Sequence, residues 1–573
     1  MKQYFPIASW IKDYSKSWLS GDISAGLTVG VMLIPQGMAY AMLAGLPPIY
    51  GLYASTIPLI IYAVLGTSRQ LAVGPVAMVA LLISSGVGAL AEVGSEDYIQ
   101  LAILLALMVG MIQLLMGVFK LGFLVNFLSH PVIAGFTSAA ALIIGFSQIK
   151  HLLGVQIPRG KVHETIINIY HNISEINLPT LSIGLGSIII LILSKKISKK
   201  IPGPLVVVLL GMIAVYGLGL HEAGVKIIKD VPGGLPAFGL PQVEGGALVA
   251  LLPIALTISF VGFMESIAVA KAIQSKHKNY EIIPNQELIG LGMANIFGSL
   301  FKGFPVTGGF SRTAVNDQAG ARTTLASIFS AVLIIITLLF LTSYFYYLPN
   351  AVLGAIILVA VYGLIDFKEA KHLWAHDKKD FWVFTITAVG TLALGIEEGI
   401  LIGVVLSLAM LIYKVSYPHI AELGRVPGSD EYRNVDRFEN LHSNPDILII
   451  RFDAQLYFAN INSLKNFIEK RLSYRQGIKH IILDCSAITS LDSSAVHAIR
   501  EIADHLHEND QELYLSHVRG PIRDILKDNG VMHNNNIQHF YLSTREAVKD
   551  IKYKAGHSFE DYVGQTETGR PSS

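Results

Sequence analysis

A chain of 573 residues that is 52% hydrophobic and only 15% charged, with a mean hydropathy of +0.52, is too apolar for a soluble protein of this size and reads as a polytopic membrane protein. Its formal net charge of +1 supplies no global field for nucleic acid, so no nucleic-acid partner is expected and any preference for anions has to come from local donors. The single cysteine, Cys485, excludes an intramolecular disulfide framework and a multi-thiolate metal site, and the 18 histidines show no metal spacing; no cofactor and no metal are expected.

Residues 1–20 hold Trp10, Trp18 and several lysines but no apolar run followed by a small-residue cleavage site, which predicts an uncleaved, interfacial, cytoplasmic lead-in. From 21 to 417, apolar runs long enough to cross a bilayer follow one another with short polar breaks, giving about fourteen spans, two of them short. Their expected starts lie near Ile23, Tyr50, Pro75, Tyr98, Pro131, Leu181, Pro204, Leu248, Pro284, Gly309, Arg322, Ala351, Asp380 and Glu397. Positive residues fall in alternate breaks: Lys2, Lys12 and Lys16, Arg69, Lys120, the cluster from Lys195 to Lys200, Lys271 with Lys276 and Lys278, and the loop from Lys368 to Lys379. That side is assigned to the cytoplasm, with both termini there and the lipid of a cell inner (plasma) membrane around the spans. The break from Lys150 to Glu175 is mixed in charge and long enough to escape the rule.

The two short apolar elements each follow a polar stretch rich in breakers, Gly66 to Pro75 and Gly303 to Gly309. One is third in the first seven spans and the other third in the second seven. A unit that crosses an odd number of times has to be inverted in its copy, so the two short elements predict half-helices facing N-terminus to N-terminus, with brief extended segments before them. Their summed dipoles make one positive focus. Into it the segment Thr307-Gly308-Gly309-Phe310-Ser311-Arg312-Thr313-Ala314-Val315-Asn316 brings a guanidinium and hydroxyls. Arg312 can present two parallel donors to an oxyanion and Ser311 a third.

Gln36 and Tyr40, four apart after Pro35, share one helix face and can donate an N–H and an O–H to the same volume, or serve interhelical hydrogen bonding. Ala77, near the start of the first half-helix, would give a backbone N–H and a wall, whereas Gly74 and Pro75 set the shape. Glu265 is a costly acid within a span, where proton uptake could be coupled to anion binding or the carboxylate could pair with Arg312. Ser259, Gly262 and Ser266, like Gly26 and Gly30, have the spacing of a helix-packing stripe. Asn316 and Asp317 are assigned to structure.

Beyond Pro418 charges become frequent and spans cease, which predicts a soluble α/β domain over 418–553 with a disordered tail over 554–573. Strands are expected over Ile447 to Phe452, His480 to Leu483 and Glu512 to Ser516, and helices from Asn462 to Leu472, Ser494 to Asn509 and Gly520 to Asn529. Asp492-Ser493-Ser494 reads as a helix N-cap, although it also resembles a phosphorylated turn of related domains.

The segments Ile34-Pro35-Gln36-Gly37-Met38-Ala39-Tyr40-Ala41, Leu46 to Tyr53, Gly74-Pro75-Val76-Ala77, Phe263-Met264-Glu265-Ser266 and Gly309 to Asn316 follow one another in the order found in SulP-type anion transporters, and the chain resembles that family over almost its whole length. Leu483-Asp484-Cys485-Ser486 and Leu491 to Ala495 resemble its C-terminal STAS domain. The resemblance implies a polytopic α-helical fold of fourteen spans as a 7+7 inverted repeat, divided into core and gate domains, a cytoplasmic STAS domain open to a regulatory protein, and a homodimer. It also implies a substrate site of Gln36, Tyr40, Ala77, Phe310, Ser311 and Arg312, with sulfate as the anion because sulfate-moving members share the Ser-Arg pair. The expected activity is proton-coupled sulfate symport with Glu265 carrying the proton. Bicarbonate, chloride or a dicarboxylate are the alternative substrates, and a non-transporting anion sensor or scaffold the alternative class. No nucleophile–base pair, metal cluster or phosphate loop emerges from the spacing, so an enzyme is not expected.

Overall fold

Each expected span start coincides with a helix, or with the break just before one, in the computed structural model, which describes residues 5–123, 129–157, 162–197, 202–241, 245–277, 280–475, 477–531 and 537–554. The tail expected to be disordered lies, from residue 555 on, outside the described residues. The chain divides into two compact units, Met1–Leu408 and Ala409–Ser573, the division falling inside the last apolar helix, Ile396–Ser416, shortly before the change of composition at Pro418.

In the first unit the elements that build the site are α1 (Lys16–Leu43), β1 (Val73–Gly74), α2 (Ala77–Gly86), α3 (Glu96–Val118), α4 (His130–Leu153), α5 (Gly245–Gln274), α6 (Pro284–Leu300), β2 (Thr307–Gly308), α7 (Phe310–Gln318), α8 (Leu325–Phe340) and α9 (Asn350–Tyr362). Helix α1 starts at Lys16, inside the stretch expected as lead-in. In its second turn Asp22, fully buried, accepts hydrogen bonds from the backbone N–H groups of Arg322 (2.7 Å) and Thr323 (3.0 Å), the Thr323 hydroxyl (2.7 Å) and the Tyr14 hydroxyl (3.1 Å). A carboxylate met by four donors is satisfied without water.

Small residues let these helices touch backbone to backbone, as the packing stripes predict. A Cβ on Gly26 would stand 2.5 Å from the Ala326 carbonyl oxygen of α8, and one on Gly110 of α3 would stand 2.7 Å from the Gly292 carbonyl oxygen of α6. Both distances are below any real contact, so only glycine permits these crossings. Ser259 of the second stripe reaches the Val109 carbonyl of α3 at 3.4 Å, a helix contact as expected.

The second unit is a six-stranded sheet of β3 (Ile420–Arg425), β4 (Tyr432–Asn434), β5 (Ile447–Phe452), β6 (His480–Asp484), β7 (Glu512–Ser516) and β8 (Ile537–Tyr541), in the order β4-β3-β5-β6-β7-β8. The strands β5 to β8 are parallel, and β3 is antiparallel to both its neighbours. Because successive strand residues face opposite sides, Leu448, Ile450, Ile481, Leu483, Leu513 and Leu515 pack under the helices Ile461–Tyr474, Ser493–Glu508 and Gly520–Asp528. Ile447, Ile449, Ile482 and Tyr514 instead cover a core with Ala547, Val548 and Ile551 of the helix Thr544–Lys554. The Asp492 carboxylate caps the second of these helices, accepting from Ala495 N–H at 2.7 Å, as its sequence position predicts. Burial, with the Asp484 charge beside it, pushes the Cys485 thiol above its ordinary range, which leaves it inert as a nucleophile.

Candidate functional site

The two breaks at Gly66 to Pro75 and Gly303 to Gly309 end in two-residue strands that pair with each other. Strands β1 and β2 are antiparallel, with Val73 opposite Gly308 and Gly74 opposite Thr307, and Gly309 N–H donates to the Ala72 carbonyl at 3.0 Å. Running in opposite directions, each strand leads into its own short helix, α2 or α7. The N-caps of these helices are Val76 and Gly309, neither of which offers a side-chain acceptor to the first turn. The leading N–H groups of both helices are therefore left for another partner, and the positive dipole ends add there.

Arg312 sits between these two helix starts. A Cβ placed on Gly309 would stand 2.8 Å from its Nη2, and one placed on Gly74 would stand 3.4 Å from the same atom. The glycines thus give the guanidinium its space, which is the shape-setting role expected of Gly74. Arg312 is 2% exposed, yet its Nε and Nη2 meet no hydrogen-bond partner among the described residues. The same holds for Oε1 of Gln36 and one carboxylate oxygen of Glu265. An uncompensated buried cation costs several kcal/mol. The free donors of Arg312 are of the kind that bond an oxyanion.

All seven residues singled out from the sequence line one cavity of about 550 Å³: Gln36 and Tyr40 from α1, Ala77 from α2, Glu265 from α5, and Phe310, Ser311 and Arg312 from α7. Gln36, Tyr40 and Ala77 are buried, whereas Phe310 and Ser311 are exposed. The alternative of an ion pair between Glu265 and Arg312 is not formed, since no carboxylate oxygen lies within 4.0 Å of a guanidinium nitrogen. The opposite wall is made by α4, α9 and the helix Leu178–Ile197 and is mostly apolar, with Val132, Phe136, Leu191, Ile356 and Val359. Polar groups for a ligand therefore concentrate on one set of helices, and a surface with little to bond stands across from them.

Glu287 was not singled out by sequence reasoning. Completely buried on α6, it accepts hydrogen bonds from the Tyr62 hydroxyl (2.7 Å), Thr67 N–H and hydroxyl (both 2.6 Å) and Ser68 N–H (3.1 Å). It anchors the break that leads to β1. Asn316 acts in the same way, its side-chain amide donating to the Gln70 carbonyl at 2.8 Å, and Asp317 pairs with His277 (2.5 Å) and Lys276 (3.4 Å). These two are structural, as expected.

The family model described as the sulfate permease family matches residues 19–387, and the STAS domain model matches 440–547. The chain belongs to the sulfate permease family. Among the relatives of this family member, sulfate transporter 4.1, chloroplastic, of Arabidopsis thaliana is 40% identical, the match covering 97% of this chain and 84% of the relative. High affinity sulfate transporter 2 of Stylosanthes hamata is 35% identical over 91% and 82% of the two chains. Of solved structures, the murine Solute Carrier 26 family member A9 anion transporter in its inward-facing state superposes with a TM-score of 0.87 at 27% identity, covering 95% of this chain and 93% of that one. The transmembrane domain of a cyanobacterial bicarbonate transporter superposes with a TM-score of 0.60 at 24% identity, covering 69% and 98%, and shares the fold. This sulfate permease family member therefore has the fold of the Solute Carrier 26 membrane transporters with a C-terminal STAS domain, and is a transporter, not an enzyme.

Proposed function

We propose that the protein carries sulfate across a membrane together with protons, holding the anion between the starts of α2 and α7. The observation that carries this reading is Arg312, a buried guanidinium with unpartnered donors at the meeting point of two uncapped helix N-termini. Sulfate as the substrate is supported by relatives named as sulfate transporters over nearly the full chain. In this reading Arg312 and Ser311 donate to the sulfate oxygens, the first-turn N–H groups of α2 and α7 complete the cradle, Gln36 and Tyr40 donate from α1, and Ala77 and Phe310 wall the site.

The proton enters through charge. A dianion arriving beside an ionised Glu265 is repelled, so uptake is favoured when that carboxylate carries a proton. Return of the proton to the other side favours release. The helices bearing the polar residues form the moving core, and the apolar wall of α4 and α9, which offers few hydrogen bonds to break, forms the gate they slide against. We place the protein in the plasma membrane as a homodimer of fourteen-span subunits, with both termini cytoplasmic.

The test is radiolabelled sulfate uptake into proteoliposomes with pH and sodium gradients imposed separately. Uptake driven by an acidic exterior and indifferent to sodium is expected. Uptake driven by sodium alone, or competition by excess bicarbonate but not by sulfate itself, would overturn the reading. Glu265→Gln is expected to leave sulfate exchange measurable while abolishing its response to the pH gradient.

A further inference from the structure

Glu265 has a neighbour that the anion site does not use. Ser266, fully buried, points away from the cavity side of α5 and onto β2, the strand that feeds the Arg312 helix. Gly308 N–H donates to Ser266 Oγ at 2.9 Å. Ser266 and Thr307 hydroxyls are 2.6 Å apart, and Thr307 Oγ1 donates to the Gly262 carbonyl at 2.5 Å. Since the Thr307 proton is committed to Gly262, the proton between the two hydroxyls belongs to Ser266. The result is an unbranched chain, Gly308 N–H to Ser266 hydroxyl to Thr307 hydroxyl to Gly262 carbonyl, whose members polarise one another.

Both ends of this chain matter. Gly262 and Ser266 bound the single turn of α5 that carries Glu265, and Gly262 has no side chain to hold the strand away: a Cβ there would already stand 3.2 Å from Thr307 Oγ1. At the other end, Thr307 and Gly308 pair with Gly74 and Val73 and are followed at once by Gly309 and the helix of Arg312. A shift of the Glu265 turn therefore moves β2 with it, and with β2 the guanidinium. Glu265 and Arg312 form no direct ion pair, so a mechanical link has something to supply.

We propose that Ser266 and Thr307 are positioning residues that make the placement of Arg312 follow the protonation of Glu265, so that sulfate affinity rises as the carboxylate takes up its proton. This rests on the proton-coupled reading above. Breaking the chain leaves the half-helix free to settle independently of Glu265, so affinity for sulfate falls and ceases to track pH.

The experiment measures KM for sulfate in proteoliposomes at external pH of about 5.5 and about 7.5 for the full-length wild type, Ser266→Ala, Thr307→Val, the double variant Ser266→Ala/Thr307→Val, Thr307→Ser and Glu265→Gln. Sulfate-induced shifts of the melting temperature in detergent, taken at the same two values, report binding without turnover. The double variant Ser266→Ala/Thr307→Val removes every bond of the chain and is expected to raise KM at acidic pH about tenfold or more, with Vmax of sulfate exchange retained and the pH dependence of KM flattened, whereas each single variant keeps one bond between α5 and β2 and is expected to show part of the effect. Thr307→Ser keeps the hydroxyl and is expected to keep the wild-type profile. Thr307→Val preserves volume and leaves Gly308 N–H on Ser266, and Ser266→Ala leaves Thr307 on the Gly262 carbonyl, so the partial shifts of the single variants carry the test should the double variant fail to fold. An unchanged pH profile in the double variant, or in both single variants should the double variant not fold, beside a pH-insensitive Glu265→Gln, overturns the positioning role and leaves coupling to act directly through space. A pH-responsive Glu265→Gln overturns the proton-coupled reading itself.

Discussion

The two half-helices share a geometry and almost nothing else. Helix α2 reads Ala-Met-Val-Ala-Leu-Leu-Ile-Ser-Ser-Gly, with every residue from Ala77 to Ile83 buried. Helix α7 reads Phe-Ser-Arg-Thr-Ala-Val-Asn-Asp-Gln, with only Arg312, Thr313 and Asn316 buried. Each follows a two-residue strand and each starts without a side-chain cap, so both deliver unsatisfied N–H groups and a positive dipole end to one place. The first does so with an apolar body buried along most of its length; the second, in the proposed reading, adds the side chains that discriminate. In the proposed reading, the two opposed half-helices fix where the anion sits through backbone geometry, and one of them supplies the chemistry.

The largest test of that division is Arg312. Replacing it with alanine removes a charge and a two-pronged donor from a dry site, which is expected to lower kcat/KM for sulfate uptake by about 100-fold or more, near 3 kcal/mol of lost interaction. Arg312→Lys keeps the charge but not the fork and is expected to fall between alanine and wild type. Wild-type uptake by the lysine variant would mean that α7 contributes charge alone. Next in size is Ala77, where the first half-helix has only a wall and an N–H to offer. Ala77→Leu fills part of the cavity and is expected to cost about tenfold in uptake, whereas Ala77→Gly leaves the N–H in place and is expected to stay within about threefold. A glycine variant as damaging as Arg312→Ala would break the comparison, because the first half-helix would then carry chemistry as well.

How much of this was legible beforehand follows the same line. Arg312 and Glu265 stood out because ionisable groups are costly among apolar runs, and the half-helices stood out because Gly and Pro punctuate the runs twice at equivalent places. The central strands of the second unit were legible as short apolar runs, two of them with the observed bounds. The flanking strands β3, β4 and β8 were not, since Ile-Ala-Glu-Leu-Gly-Arg and Tyr-Arg-Asn carry charges that mask any alternation and owe their strand form to β5 and its neighbours. Glu287 was missed for a different reason. In Pro-Asn-Gln-Glu it looks like the ordinary acidic first turn of a helix, and only the fold brings Tyr62, Thr67 and Ser68 to it from more than two hundred residues away. That Glu265 and Arg312 are not paired is likewise a property of distance, which sequence spacing does not contain.

A third test concerns what joins the half-helices. Thr313, fully buried, accepts from Ala72 N–H at 3.0 Å, just before β1, and donates to the Gly309 carbonyl at 2.7 Å. Thr313→Val keeps the shape and leaves that N–H buried without its partner, at a cost of about 1–3 kcal/mol in stability, read as a lowered melting temperature in detergent. Stability unchanged by the valine would show that β1–β2 pairing and the Asn316–Gln70 bond suffice to hold the two half-helices together.

The smallest expected effect sits at the far end of α7. Asp317 lies in the last turn, where the negative end of the helix dipole disfavours a carboxylate, and Lys276 supplies an opposing charge and His277 a close polar contact. The lysine is largely exposed, so its contribution is screened by salt and is worth no more than about 1 kcal/mol. Asp317→Asn removes the unfavourable dipole contact together with the favourable pairs, and the two changes offset each other. Uptake is therefore expected to stay within about threefold of wild type, with a weaker dependence on ionic strength. Loss of transport in a folded Asp317→Asn protein would mean that α7 depends on its C-terminal anchor to hold Arg312 at the site, and the contrast between a scaffold helix and a chemical helix would have to extend along the whole of α7 and not only its first turn.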